Sequence, residues 1–236
     1  MNEKNKSRRN PVIVNILFWG SLWGIFEATA GYLLHLISFS YGWLLWYPFA
    51  CFFMVNVYRK TGRVSSIFFT GLLCSSVKML NLLLPGRIDR VINPAISIMF
   101  ESLAVAIVIF AINKSFNKAR SNPLLIILSV LSMNTAWRIM YICYLILLAP
   151  AWIRDISVIS SSQLFVTFFI TQNLITSALI LLGYQLRYVA LKPLRVIERQ
   201  LSDLYRSLPG RAAVFFKIST ATLMLSANIS LQFILK

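Results

Sequence analysis

Charged side chains are scarce in this sequence, and acidic ones are the scarcest. Only 13% of its 236 residues are charged, against about 25% in an ordinary soluble domain, and just seven are Asp or Glu. No polar stretch exceeds roughly 30 residues, which is shorter than a typical domain. These shortages exclude a soluble globular protein, a disordered chain and a membrane protein with a separate soluble catalytic domain.

Residues that form disulfides, metal sites and nucleotide sites are also few. Cys51, Cys74 and Cys143 lie singly in apolar runs and are odd in number, so we expect packing residues rather than disulfides. His35 is the only histidine, and we therefore expect no metal and no cofactor. No phosphate-binding loop of the type G-x-x-x-x-G-K-S/T occurs, so any process driven by ATP needs the motor of another protein.

Apolar runs of membrane-spanning length make up most of the chain, since a span needs about 20 residues. Six such runs cover residues 12–36, 41–58, 64–84, 91–112, 123–150 and 157–186. A weaker run, 212–235, holds Lys217, Asn228 and Gln232. The sequence therefore predicts an all-α integral membrane protein, a bundle of six transmembrane helices over residues 12–186. Residues 212–236 are either a seventh span or a re-entrant or interfacial helix.

Lysine and arginine collect on alternate connections between the runs. Sixteen of them fall on the N-terminus and the connections that share its side, against three on the opposite side. Because basic loops stay in the cytoplasm, residues 1–11 and 187–211 are predicted to be cytoplasmic, in a plasma or inner membrane. This rule also explains the net charge of +16, so no nucleic-acid partner is predicted. Trp43, Trp46, Tyr47 and Trp152 are expected to form an outer aromatic belt.

The basic segment 187–211 has an apolar stripe of helical spacing. The stripe comprises Leu194, Ile197, Leu201, Leu204 and Leu208. We expect an amphipathic helix on the inner leaflet, attracted to anionic lipid. A cytoplasmic protein partner is the alternative.

Four charged residues lie inside the apolar runs, namely Glu27, Lys78, Glu101 and Arg138. Each costs about 2.5–3.5 kcal/mol to insert, and polar neighbours follow at helical spacing on the same faces. The predicted substrate-binding residues are Glu27, Lys78, Asn81, Asn93, Ser97, Glu101, Asn134, Trp137, Arg138 and Tyr141. They favour a polar pocket in the outer half of the bundle. Ion pairs that fix helix register, or a catalytic centre, are the alternatives.

Small residues repeat at four-residue spacing in the first run, at Gly20, Gly24 and Ala28. Such spacing lets two helices approach closely. The helix that packs there belongs either to the same bundle or to a partner.

Two segments, Gly20–Ala28 and Asn93–Glu101, together with the size and topology of residues 10–186, resemble the substrate-binding S component of energy-coupling-factor transporters. The resemblance implies that the protein captures a vitamin or a metal ion outside the cell. It also implies that the small-residue face contacts a transmembrane T component, which carries two ATPase subunits.

The leading hypothesis is a membrane subunit of an importer, not an enzyme, that binds a vitamin-like or zwitterionic solute. An intramembrane enzyme acting on lipid is one alternative, although no H-E-x-x-H, G-x-S-x-G or paired-Asp motif is present. An assembly or scaffold protein with structural ion pairs is the other.

Overall fold

A computed structural model describes residues 3–36, 41–115, 122–190 and 210–235. Within these ranges the chain forms helices and connecting turns, with no β-strand. The amphipathic stripe predicted at Leu194–Leu208 lies outside the described residues, as do the side chains of the N-terminal segment 1–11 and of His35.

Eight helical elements follow one another along the described chain. They are α1 (Glu3–Leu36), α2 (Trp43–Thr61), α3 (Ser65–Met79, continued by a 3-10 turn over Leu80–Leu83), α4 (Asp89–Ser115), α5 (Pro123–Leu147), the single turn α6 (Ala151–Arg154), α7 and α8 (Gly210–Ile234). Helix α7 begins as Ser162–Val166, passes through a π-helical turn, Thr167–Thr171, and continues as Gln172–Ala190.

Six of the described helices are long and apolar enough to cross a membrane, which confirms the all-α membrane bundle. These spans are Val12–Leu34, Ser65–Leu83, Asp89–Lys114, Pro123–Leu147, Ser162–Leu186 and Ala212–Ile234. The set differs from the six predicted runs because it includes α8 and omits α2. Aromatic residues at the start of α2 and Arg59 and Lys60 at its end lower its mean hydropathy, yet α2 packs into the core through Tyr47, Met54 and Val57.

Helix α8 packs against the other helices of the bundle. The Asn81 side-chain amide, in the last turn of α3, donates to Gln232 Oε1 at 2.8 Å near the C-terminal end of α8. The two helices therefore end at the same end of the bundle, and α8 has the length of a span. Helix α8 is thus long and apolar enough for a span and packs against α1 and α3, and its crossing of the membrane stays a prediction.

The core forms where aromatic and small residues of neighbouring helices meet. Trp23 of α1 stacks on Phe53 of α2 with ring centroids 6.2 Å apart, and Phe26 stacks on Phe49 at 4.5 Å. Helices α3 and α4 approach closely because Gly71 faces Ser102, and the Ser75 hydroxyl donates to the Ala95 carbonyl at 2.7 Å. These contacts pack α1 against α2 and α3 against α4.

Candidate ligand-binding cavity

A cavity of about 390 Å³ lies between α1, α2, α3, α4, α5 and α7. It occupies the end of the bundle at which α1, α3 and α5 end and α2, α4 and α7 begin. Trp43 and Arg90 lie near this end, whereas Glu101 lies twelve residues into α4, roughly 18 Å along the helix axis. The volume falls in the range of roughly 300–1,000 Å³ that small-molecule sites occupy.

Eight of the ten predicted substrate-binding residues line this one cavity. They are Glu27, Lys78, Asn93, Ser97, Glu101, Trp137, Arg138 and Tyr141. The other two are placed elsewhere. Asn81 bonds to Gln232 in α8, and Asn134 lies behind the cavity wall, where it holds two of the lining side chains.

The four charged residues predicted inside the spans face the cavity rather than one another. Glu27, Glu101 and Arg138 are each less than one-tenth exposed. Lys78 attracts Glu27 and Arg138 attracts Glu101, but none of these four described residues makes a carboxylate–cation contact short enough for an ion pair. The direct ion pairs of the register-fixing alternative are therefore not formed among them. The Trp23 indole nitrogen donates to Glu27 Oε1 at 3.3 Å.

The guanidinium of Arg138 is bonded on most sides but not on all. Its Nε donates to Asn134 Oδ1 at 3.3 Å, and its Nη2 donates to Thr176 Oγ1 at 3.4 Å. The Trp137 and Phe168 rings lie 4.6 Å and 4.5 Å from its central carbon, in cation–π contact. Its Nη1 is buried and has no hydrogen-bond partner. The Nη1 group of this buried cation therefore has hydrogen-bond donors that no protein group satisfies.

Asn134 fixes the orientation of two cavity-lining side chains. Its Oδ1 accepts from the Trp137 indole at 2.9 Å as well as from Arg138. Because both of these nitrogens can only donate, the amide has one possible orientation. Its Nδ2 then points at the Thr176 hydroxyl, at 2.7 Å, and at the Ser177 hydroxyl, at 2.8 Å. This network joins α5 to α7 beneath the cavity.

The π-helical turn of α7 contributes the second ring against Arg138. Phe168 lies in this turn, is 7% exposed, and packs edge-on against Trp137 with ring centroids 5.6 Å apart. Gln172 directly follows the turn and also lines the cavity. Single π-helical turns inside α-helices occur frequently at functional sites.

Two further lining residues hold buried polar atoms that lack a good partner. Asn93 Oδ1 accepts no hydrogen bond, and the Tyr47 hydroxyl has no oxygen or nitrogen partner. The Cys51 thiol interacts with Tyr47, but thiols bond weakly. A buried polar group left unsatisfied costs about 1–3 kcal/mol. The three residues that carry such atoms, Tyr47, Asn93 and Arg138, therefore all line the same cavity.

Nine lining residues were absent from the predicted site, namely Trp43, Trp46, Tyr47, Arg90, Phe168, Gln172, Gly31, Pro94 and Ile98. Trp43, Trp46 and Tyr47 were predicted to form the outer aromatic belt, and their position beside the cavity was not predicted. Arg90 extends the stripe of Asn93, Ser97 and Glu101 by one helical turn, so its spacing carried a usable signal. Phe168 could not be found this way, because the π-helical turn breaks the regular helical spacing.

The small-residue face of α1 packs within the chain. A Cβ on Gly20 would lie 2.9 Å from the Leu73 side chain of α3, and Gly24 faces the Asn228 amide of α8. The Gln232 amide also donates to the Gly24 carbonyl at 3.4 Å. Ala28 is buried. Gly20 and Gly24, for which the resemblance implied a separate subunit, thus contact helices of the same chain.

No protein-family model, no curated protein and no solved structure matches this chain. Within the described residues, no three His, Cys, Asp or Glu side chains come together as metal ligands.

Proposed function

We propose that this protein is the solute-binding membrane subunit of an importer, and that the cavity is its binding site. One observation carries the proposal: Tyr47, Asn93 and Arg138, each of which has a buried polar atom that lacks a good partner, all line one cavity. Glu27 and Glu101 border it too, without ion pairs. Buried polar groups in proteins are nearly always bonded to protein, water or ligand, and a bound solute would supply the missing partners.

The lining favours a small solute that carries polar or charged groups on an apolar body. Acids and bases both face the space, which suits a zwitterionic or vitamin-like compound. The Trp137 and Tyr141 rings, with centroids 6.4 Å apart, offer surfaces on which an aromatic part of such a solute can stack.

Import, rather than another use of binding, is supported by the position of the cavity and by the basic loops. The positive-inside rule assigns the cavity end of the bundle to the outer face. Because the sequence has no ATP-binding loop, the proposal includes a separate motor. A T component with two ATPase subunits is the motor that the resemblance implies.

Solute binding is tested by thermal unfolding of the detergent-purified protein against a panel of vitamins and amino acids. We expect at least one compound to raise the unfolding temperature of the wild type, and Arg138→Ala or Glu101→Ala to lose that response. The matched control is Arg87→Ala, since Arg87 is exposed, pairs with Asp89 at 2.8 Å and lies outside the cavity. If both cavity variants keep full affinity, the cavity is not the binding site.

The importer assignment is tested separately, by mild purification from the native membrane and mass spectrometry of the proteins that accompany it. We expect a membrane subunit of the T type together with two ATPases. A protein that binds a solute but purifies alone, and whose deletion leaves uptake of that solute unchanged, contradicts the importer assignment. A protein that binds no solute favours the scaffold alternative.

A further inference from the structure

The guanidinium of Arg138 has N–H donors that no group of the protein satisfies. The Trp137 and Phe168 rings lie 4.6 Å and 4.5 Å from its central carbon, and its Nε and Nη2 each donate one hydrogen bond, to Asn134 and Thr176. The remaining nitrogen, Nη1, belongs to a residue that is 2% exposed and lines the cavity. A positively charged N–H donor without a partner suits an oxygen of an anion, with which it forms a charge-assisted hydrogen bond.

The formal charge of the cavity wall also favours an anion. Three bases, Lys78, Arg90 and Arg138, line it against two acids, Glu27 and Glu101. Glu27 is attracted by Lys78 and Glu101 by Arg138, so the third base, Arg90, adds one positive charge near the mouth of the cavity. A solute with a single net negative charge would balance the wall.

The other lining residues indicate the chemistry of the rest of the solute. Aromatic rings of Trp43, Trp46 and Tyr141 border the space, which suits a flat, apolar body. Asn93 Oδ1 can only accept a hydrogen bond, so it repels a carboxylate and calls for an N–H or O–H group. Asn93 precedes Glu101 by eight residues in α4, about 12 Å nearer the helix start, so the donor group would face the mouth.

We infer that the inner end of the cavity is a carboxylate subsite, in which Arg138 Nη1 binds the carboxylate of an acid with a flat, apolar body. This inference rests on the proposed solute-binding function and names the class of solute. Asn134 acts as a positioning residue, because it accepts hydrogen bonds from both Arg138 and the Trp137 ring that lies in cation–π contact with it.

The test compares three probes that share one ring and differ only in their end group. Para-fluorophenylpropionate carries a carboxylate, para-fluorophenethylamine an ammonium and para-fluorophenylpropanol a hydroxyl. Fluorine NMR line broadening on the purified wild type measures their binding, with empty micelles as the blank for partitioning. We expect the acid to bind about tenfold more tightly than the other two or better, as one charge-assisted hydrogen bond provides.

Variants then locate the binding of the acid. Arg138→Gln should weaken the acid by about tenfold or more and leave the amine unchanged, whereas Arg87→Gln, which removes an exposed charge outside the cavity, should change neither. Arg138→Lys should recover only part of the affinity, since an ammonium lacks the planar, fixed set of N–H donors that a guanidinium presents to a carboxylate. The wild-type comparison of the three probes stands even if the Arg138 variants fail to fold.

Two sets of results would overturn the inference. Equal binding of the three probes, or acid binding that Arg138→Gln leaves intact, would show that no carboxylate subsite exists at Arg138. Binding of the amine or the alcohol without the acid would do the same, yet the cavity would remain a solute site. If none of the three binds, the carboxylate subsite is wrong, and the thermal screen decides the solute-binding function independently.

Discussion

The contact between Gly24 of α1 and Asn228 of α8 gives the sharpest test of how the last helix packs. A Cβ added at Gly24 would lie 2.6 Å from Asn228 Oδ1 and 2.7 Å from its Cγ, and closer still to Nδ2. Real Cβ atoms essentially never approach other atoms within 3.0 Å. Gly24→Ala must therefore displace the Asn228 side chain or the helix that carries it.

The expected loss follows from two opposing effects. Overpacking a tight contact costs about 1–3 kcal/mol, whereas replacing glycine by alanine inside a helix gains up to about 1 kcal/mol. Asn228 is fully buried and Gln232 beside it is 3% exposed, so the amide has little room to turn away. We expect Gly24→Ala to lower the free energy of unfolding by about 1–2 kcal/mol.

A double-mutant cycle separates the clash from other effects. Asn228→Ala removes the amide that the new Cβ meets, so the double variant should be more stable than the two single changes predict. The coupling free energy should favour the double variant by about 1–3 kcal/mol, measured by equilibrium unfolding in mixed micelles with rising SDS. Gly183→Ala is the control, since nothing lies within 4 Å of a Cβ built at that glycine.

Two results would refute this reasoning. One is a Gly24→Ala protein as stable as Gly183→Ala, because both gain the same helix propensity and only one should clash. The other is simple additivity of Gly24→Ala and Asn228→Ala, which would mean that the two residues do not touch. Either result would show that α8 does not pack against α1 at Gly24.

Three further predictions concern the site and the last helix. Asn134→Ala should lower the free energy of unfolding by about 1–3 kcal/mol and weaken the acid probe; a change in stability alone would contradict its positioning role. Phe168→Leu should weaken the acid probe about two- to tenfold through the lost cation–π contact, whereas unchanged affinity in the NMR titration would argue against the ring stack. Alkaline phosphatase should be active when fused after Leu235 and inactive after Lys114 in a bacterial host; equal activities would show that α8 does not cross.

Eight of the residues that line the cavity could be predicted because polar residues repeat at helical spacing. Asn93, Ser97 and Glu101 occupy one face of α4, and a helix that carries acids and amides in an apolar run must turn that face away from lipid. Asn134 and Arg138 obey the same rule in α5. The cost of a charge in hydrocarbon thus orients each helix before any contact between helices is known.

Asn81 and Asn134 show what the spacing within one helix cannot predict. Both face the protein interior, as predicted, but the spacing of one helix cannot tell a side chain that lines a cavity from one that bonds to a neighbouring helix. Asn81 faces Gln232 and Asn134 faces Thr176, residues far away along the chain. Which partner an inward-facing amide meets depends on how the helices pack.

Composition and periodicity determined the membrane class, the helices and the inward faces, because the cost of burying charge in lipid acts on each segment separately. The tertiary structure decided that α8 joins the bundle, that Gly24 packs on Asn228, and that a π-helical turn brings Phe168 to Arg138. These outcomes depend on close contacts between segments distant in sequence. Such contacts are specified by shape and hydrogen-bond geometry, which no local pattern contains.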